Sequence, residues 1–362
     1  LVVAQIRGRM AQKGYATHPV LGIAYFSDHF ARHAEALLEA LQDEFPEITD
    51  WSGTAGVGVM ASHAEYLGEP ALAVMLLEMP REAYRVFSGI APLSNTSPAA
   101  WEHTLVHADG HLPDLPGLVQ ELAERTGSGQ LLGGLSSDAV APLQLAWSRA
   151  REPRHSGVLQ GGLSGIAFGA EAGAMQATTQ GCQAMSKRMR ITALQDNVLL
   201  SLDGRPALDV LEEVMLVQMD TQAELATRKM RHMQVALEAS EQDHSMYAGQ
   251  LPPQARVCPL TGVDMQRRGI VLAESALQQK YLRFCQRNWS AARANLLRMC
   301  AELRESLAPA DVPVMDADAL QSGHSDLVSL DPGQERVIAG AIYISNAQRG
   351  GDYFGATNGE LE

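Results

Sequence analysis

Three kinds of residue pattern in this chain could do chemistry. GVGVMA at 56–61 fits the G-x-G-x-x-A pattern of a dinucleotide-binding turn. Glu78 closes an apolar run about twenty residues later, where an acid can hold a ribose hydroxyl. That motif needs a strand before it, and TDWSGTA (49–55) does not read as one, so glycines of a buried strand and turn explain it better. SGHSDL at 322–327 gathers Ser322, His324 and Asp326. Hydrolase triads are assembled in space, with the nucleophile on a sharp turn, whereas GLSGI (162–166) has Ile166 in place of the final glycine of such an elbow. Nucleophilic hydrolysis is not expected. His29 and His33 stand four apart, a spacing that can hold a metal on a helix, but no third ligand accompanies them. HTLVHADGH (103–111) adds three histidines without any standard zinc spacing. One axial haem ligand needs no motif, so haem stays open.

The remaining candidates are arginines beside turns. Arg205 follows Asp203-Gly204, Arg287 lies in RFCQRNW, and Arg349 lies in SNAQRGGDYFG. A guanidinium at a sheet end or helix start can take a carboxylate bidentately, or it can close an internal ion pair. Both readings are open for each.

Elements must hold these groups in place. GIAYFSD (22–28) reads as a strand running into the helical stretch 29–45, with Asp28 or Ser27 as its cap. GVGVM (56–60) and ALAVMLLEM (71–79) read as strands and PGLVQELAER (116–125) as a helix. GQLLGGLSSD (129–138), APLQLAW (141–147) and SGVLQGGLSGIAFG (156–169) read as an antiparallel meander with glycines where another backbone or a ligand comes close. MRITALQ and NVLLSL form a hairpin about Asp196, and Pro206 opens a helix to about Met219. The pattern over 220–250 is helical, 251–264 is an irregular connector, GIVLAE (269–274) a strand, 289–307 an amphipathic helix, and VIAGAIYIS (337–345) a buried strand. The expected fold is mixed α/β, with two sheet-containing domains at 1–170 and 171–362 flanked by helices.

Bulk properties narrow the function. The chain has 362 residues with 28 Lys and Arg against 42 Asp and Glu, a net charge of −14. That charge disfavours non-specific contact with nucleic acid or anionic lipid. Its 4 cysteines make no CxxC pair, which favours reduced thiols over a disulfide framework. Without a run of about 18 apolar residues or a signal segment, a cytoplasmic location is expected.

Taken in order, these segments resemble the FIST family, a two-part sensory module of bacterial signalling proteins and some eukaryotic F-box proteins. GIAYFSDHFARHAEALLEAL, the run from WSGTAG to LLEMP, LLGGLSSD and VLQGGLSGIAFG resemble its N-terminal part. TQGCQAM, NVLLSLDGRPALDVL, YLRFCQRNWSAARANLLRM and GAIYISNAQRGGDYFG resemble its C-terminal part, the Asp-Gly-Arg-Pro-Ala-Leu segment most specifically. Asn346 stands where a cysteine is common in the family, and the C-terminal end reads as incomplete. The resemblance implies a cytoplasmic, non-enzymatic sensor of a small molecule such as an amino acid. Gly133, Gly134, Ser136, Arg205, Arg287, Asn346 and Arg349 are the candidate ligand contacts, with no catalytic residue and no metal. Such a sensor acts through a separate signalling protein such as a histidine kinase. Two alternatives are a haem-binding nitric-oxide sensor acting on a histidine kinase or cyclic-di-nucleotide enzyme, and a nucleotide-dependent enzyme built on GVGVMA.

Overall fold

A computed structural model describes residues 1–61, 64–93, 101–137, 140–150, 156–242, 251–252, 255–273, 279–307 and 338–346. Helices and strands mix throughout, as the sequence leads one to expect. The described residues fall into two compact units: Leu1–Gln176 together with Ile342–Asn346, and those within Ala177–Ala341.

The first unit contains α1 (Val2–Met10), β1 (Leu21–Ser27), α2 (Ala34–Glu44), β2 (Asp50–Gly56), β3 (Gly58–Ala61), β4 (Ala64–Leu67), β5 (Leu72–Leu77) and β6 (Tyr84–Ser88). It continues through β7 (His103–Ala108), α3 (Leu115–Glu124), β8 (Leu131–Leu135), β9 (Leu143–Ser148), β10 (Val158–Gln160) and β11 (Leu163–Phe168). One sheet runs β10-β9-β2-β1-β5 and the other β6-β11-β7-β8, while β3 and β4 form a separate hairpin. Each sheet has one parallel pair, β1 with β2 and β7 with β8. Their strands pack face to face through Leu21, Ile23, Tyr84, Val86, Leu105 and Ile166. Leu38, Leu41 and Phe45 from α2 and its end cover the outer face of the first sheet, against Phe26, Trp51 and Leu145. Leu122 of α3 covers the second sheet, against Phe87, Val106 and Ala167. The unit is therefore a four-layer α/β/β/α sandwich in which both strand faces are buried.

The second unit contains β12 (Cys182–Ala184), β13 (Met189–Gln195), β14 (Val198–Leu202), β15 (Arg205–Pro206), α4 (Ala207–Met215), α5 (Ala223–Met230), β16 (Met233–Glu238), β17 (Arg256–Asp264), β18 (Gly269–Leu272), β19 (Tyr281–Arg287) and α6 (Trp289–Leu307). The path β19-β13-β14-β18-β17-β16 returns to β19 through a further pairing, so the sheet closes into a ring. One core cluster joins Leu199, Val235, Ile270, Leu282 and Phe284 of that ring to Leu208, Leu211 and Met215 of α4.

Several expectations change. The three glycine-bearing strands are not a meander: β8 pairs parallel with β7, β9 and β10 lie in the first sheet, and β11 lies in the second. MQVALE is the fully buried strand β16, not part of a long helix. Its Met233, Val235 and Leu237 join the ring's core, while Gln234 and Glu238 are buried on the opposite face, where Glu238 accepts from Arg188 and Arg283 at 2.9 Å. The connector 251–264 contains strand β17. The helix opened by Pro206 stops at Met215 because Leu216 turns left-handed. Ser27 and Asp28 make no helix cap; Ser27 Oγ accepts from the Ala71 amide at 3.0 Å, and Asp28 accepts from the Ser137 hydroxyl at 2.7 Å. The described part of VIAGAIYIS is neither a strand nor buried throughout: Ile338 is 62% exposed, and only Ile342 and Ile344 pack into the first unit's inter-sheet core. Among the described residues no helix is long and apolar enough to cross a membrane.

Candidate functional site

The inter-sheet layer of the first unit is apolar in its middle; at one end buried Asp50 is held by Tyr84 at 2.8 Å and Arg81 at 3.1 Å, and at the other lies a set of uncharged polar side chains. Pairing register aligns Tyr25 with Thr54 and Thr54 with Gln144 across the first sheet. In the second sheet it aligns Ser88 with Ser164, Ser164 with His107 and His107 with Gly134. Strand side chains alternate between faces, so these residues share the inward parity of Ile23, Leu105 and Ile166. The polar rows lie at the carboxyl ends of β1, β2 and β7.

One contact bridges the rows. Tyr25 Oη lies 3.1 Å from His107 Nε2, and the two rings meet edge-on at 82° with centroids 5.5 Å apart. His107 is 1% exposed, and burial lowers its pKa from 6.5 to about 4, which keeps the imidazole neutral near pH 7. Burial also pushes the Tyr25 phenol up, so it stays protonated. Thr54 Oγ1 donates to the Leu143 carbonyl at 2.9 Å and lies 2.8 Å from Ser136 Oγ. Gln144 Nε2 donates to the Gly162 carbonyl at 3.0 Å.

Toward this polar end four buried polar atoms have no hydrogen-bond partner among the described residues: His107 Nδ1, Ser164 Oγ, Gln144 Oε1 and Ser52 Oγ. Ser52 sits two residues before Thr54, on the same face of β2. All four side chains are 1% exposed or less. Leaving such a group unsatisfied costs about 1–3 kcal/mol, so four together mark a place where something else hydrogen-bonds.

The anticipated site residues divide between the units. Gly133 and Gly134 are neighbours in β8, and Ser136 is buried just beyond it. A Cβ on Gly133 would stand 1.9 Å from the Val106 carbonyl oxygen, so that glycine serves strand pairing. Gly134 lies on the His107 row, where a Cβ would meet Ile344 Cγ2 at 3.2 Å. Asn346 is exposed in the same returning segment. Arg205 belongs to the second unit, on a two-residue Asp203-Gly204 turn whose φ angles of 48° and 77° suit the twist of the hairpin. Its guanidinium clasps Glu213 with both terminal nitrogens, one at 3.0 Å, which meets the internal ion-pair reading. Arg287 ends β19, its Nε 3.4 Å from the Gln180 carbonyl oxygen. Arg349, Ser322, His324 and Asp326 lie outside the described residues.

Other motifs lose their chemical reading. GVGVMA joins β2 to the β3–β4 hairpin and leads into no helix, so it is not a dinucleotide turn. His29 and His33 lie on a 3₁₀ helix, Asp28–His33, whose three-residue turn rotates i and i+4 about 120° apart. Among the described residues no cluster of His, Cys, Asp and Glu could hold a metal ion. An open groove of about 360 Å³ beside α4 is lined by Asp209, Glu212 and Glu213, but Arg268 already binds two of these acids.

Sequence reading passed over Tyr25, Ser52, Thr54, Gln144 and Ser164 and valued His107 only as a haem candidate. Their shared signal is a polar residue at inward parity inside an otherwise apolar strand. A sequence model of the FIST N domain matches residues 20–205. No curated protein matches the chain.

Proposed function

The chain belongs to the FIST family, and from that premise we propose that its first unit binds a small molecule in the polar inter-sheet layer and does not transform it. The family match supports a sensory role in signalling. The single observation that carries the binding reading is the set of four buried polar atoms on the facing strands of the two sheets that have no partner among the described residues. Ligands of sheet proteins commonly bind where parallel strands end, and the polar rows lie at the ends of β1, β2 and β7.

Chemistry at the site argues for recognition. A histidine base needs a third group to orient it, yet His107 Nδ1 meets no carboxylate. Its Nε2 is engaged by the Tyr25 hydroxyl, and its low proton affinity makes it a poor acceptor of protons at neutral pH.

Native mass spectrometry of freshly purified protein, paired with ¹⁵N-histidine spectra, tests this reading. The expected result is a carried-over or added small molecule that shifts the His107 ring signals, with occupancy at least tenfold lower in Gln144→Leu. Unchanged His107 signals with every bound mass and every added compound would overturn it.

A further inference from the structure

Resting on that reading, we infer that the inter-sheet site selects an uncharged, hydroxyl-rich ligand of the polyol class and rejects carboxylates and phosphates. Every side chain on the two rows is uncharged: Tyr25, Thr54 and Gln144 on one, Ser88, Ser164 and His107 on the other. The unpartnered atoms are of matching kind. Ser52 Oγ and Ser164 Oγ can each donate and accept, Gln144 Oε1 only accepts, and His107 Nδ1 does one or the other according to tautomer. Hydroxyl groups, which donate and accept at one atom, satisfy all four without a net charge.

An anion would meet the opposite of what it needs. Burying a carboxylate without a cation or several donors costs several kcal/mol. The carboxylates at the edge of the rows add repulsion. Asp28 is held by the Ser137 hydroxyl at 2.7 Å, one residue beyond Ser136. Asp109 follows β7, its amide bonded at 3.0 Å to the Gly162 carbonyl that also holds Gln144. A buried cation pays the same desolvation cost and finds no carboxylate on the rows themselves; the second Asp28 oxygen, without a partner among the described residues, lies past the end of β1.

A matched series separates the charges while holding shape nearly constant: glucitol, gluconate and glucamine, with the shorter set glycerol, glycerate and serinol. Calorimetry and ¹⁵N-histidine spectra on the full chain should show saturable binding of at least one polyol, with His107 ring shifts. The carboxylate and amine of the same set should bind at least tenfold more weakly. Ser164→Ala should weaken the polyol about tenfold while thermal unfolding stays within a degree or two. Equal or tighter binding of gluconate, glycerate or either amine would overturn the inference, as would a series in which no polyol moves the His107 signals. A charged carried-over molecule that shifts His107 would sink this inference and leave the proposed function standing. Silence of His107 toward every compound would sink both.

Discussion

At the scale of single residues, the informative feature is a histidine kept neutral. The folded pKa of His107 lies near 4, below the 6.5 of an exposed imidazole, so between those values the unfolded chain binds the extra proton. Stability contributed by the neutral imidazole is complete above pH 6.5 and is lost as pH falls through that window, to a total of about 3 kcal/mol. Urea unfolding at pH 7 and pH 4 should therefore show a larger acid loss in the native chain than in His107→Gln. Equal losses would mean that this ring does not titrate as described. The contrast with Arg205 is instructive. Its place between Gly204 and Pro206 was plain in the sequence, but both its ligand and ion-pair readings were open until Glu213 appeared eight residues along. Long-range partners of a side chain are not written in its neighbours. His107 shows the reverse: its isolation could not be read because Tyr25 comes from the other sheet.

At the scale of elements, strands were legible where one pattern dominated. Leu21–Ser27 and Leu72–Leu77 announce themselves as apolar runs, and the Asp203-Gly204 turn fixes its hairpin. Asp50–Gly56 does not read as a strand, although it is the central strand of its sheet, because Asp50, Gly53 and Gly56 are residue types depleted in strands. Its burial comes from packing on both sides. Met233–Glu238 misled in the other direction, since Met, Gln, Ala, Leu and Glu are all good helix formers and tertiary closure of the ring overrides them. Strand β8 offers a test with a built-in control. Gly133→Ala forces a Cβ onto the Val106 carbonyl and should cost about 2–3 kcal/mol in chemical denaturation. Gly134→Ala, one residue on, meets only the end of Ile344 and should cost under about 1 kcal/mol. Equal costs would show that the β7–β8 approach is looser than described.

At the scale of the whole molecule, two compact units and one returning segment set the behaviour. The sequence placed the boundary near residue 170, and the described chain changes unit at Gln176. What could not be read was the return of Ile342 and Ile344 to the first unit, because an apolar run does not name the core it joins. Ile344→Asp should raise hydrogen exchange in β7 and β8 and leave β16 and β19 protected. Faster exchange in β16 and β19, or none in β7 and β8, would contradict the assignment of that segment.

The same return has a consequence for synthesis. A ribosome releases the sandwich's strands early but its last apolar plug only after the whole second unit has emerged. At ordinary elongation rates the nascent first unit waits on the order of ten seconds with that edge uncovered. Chaperone contact during translation should concentrate on this interval, and a premature stop ahead of Ile342 should leave a sandwich that is made but never sealed.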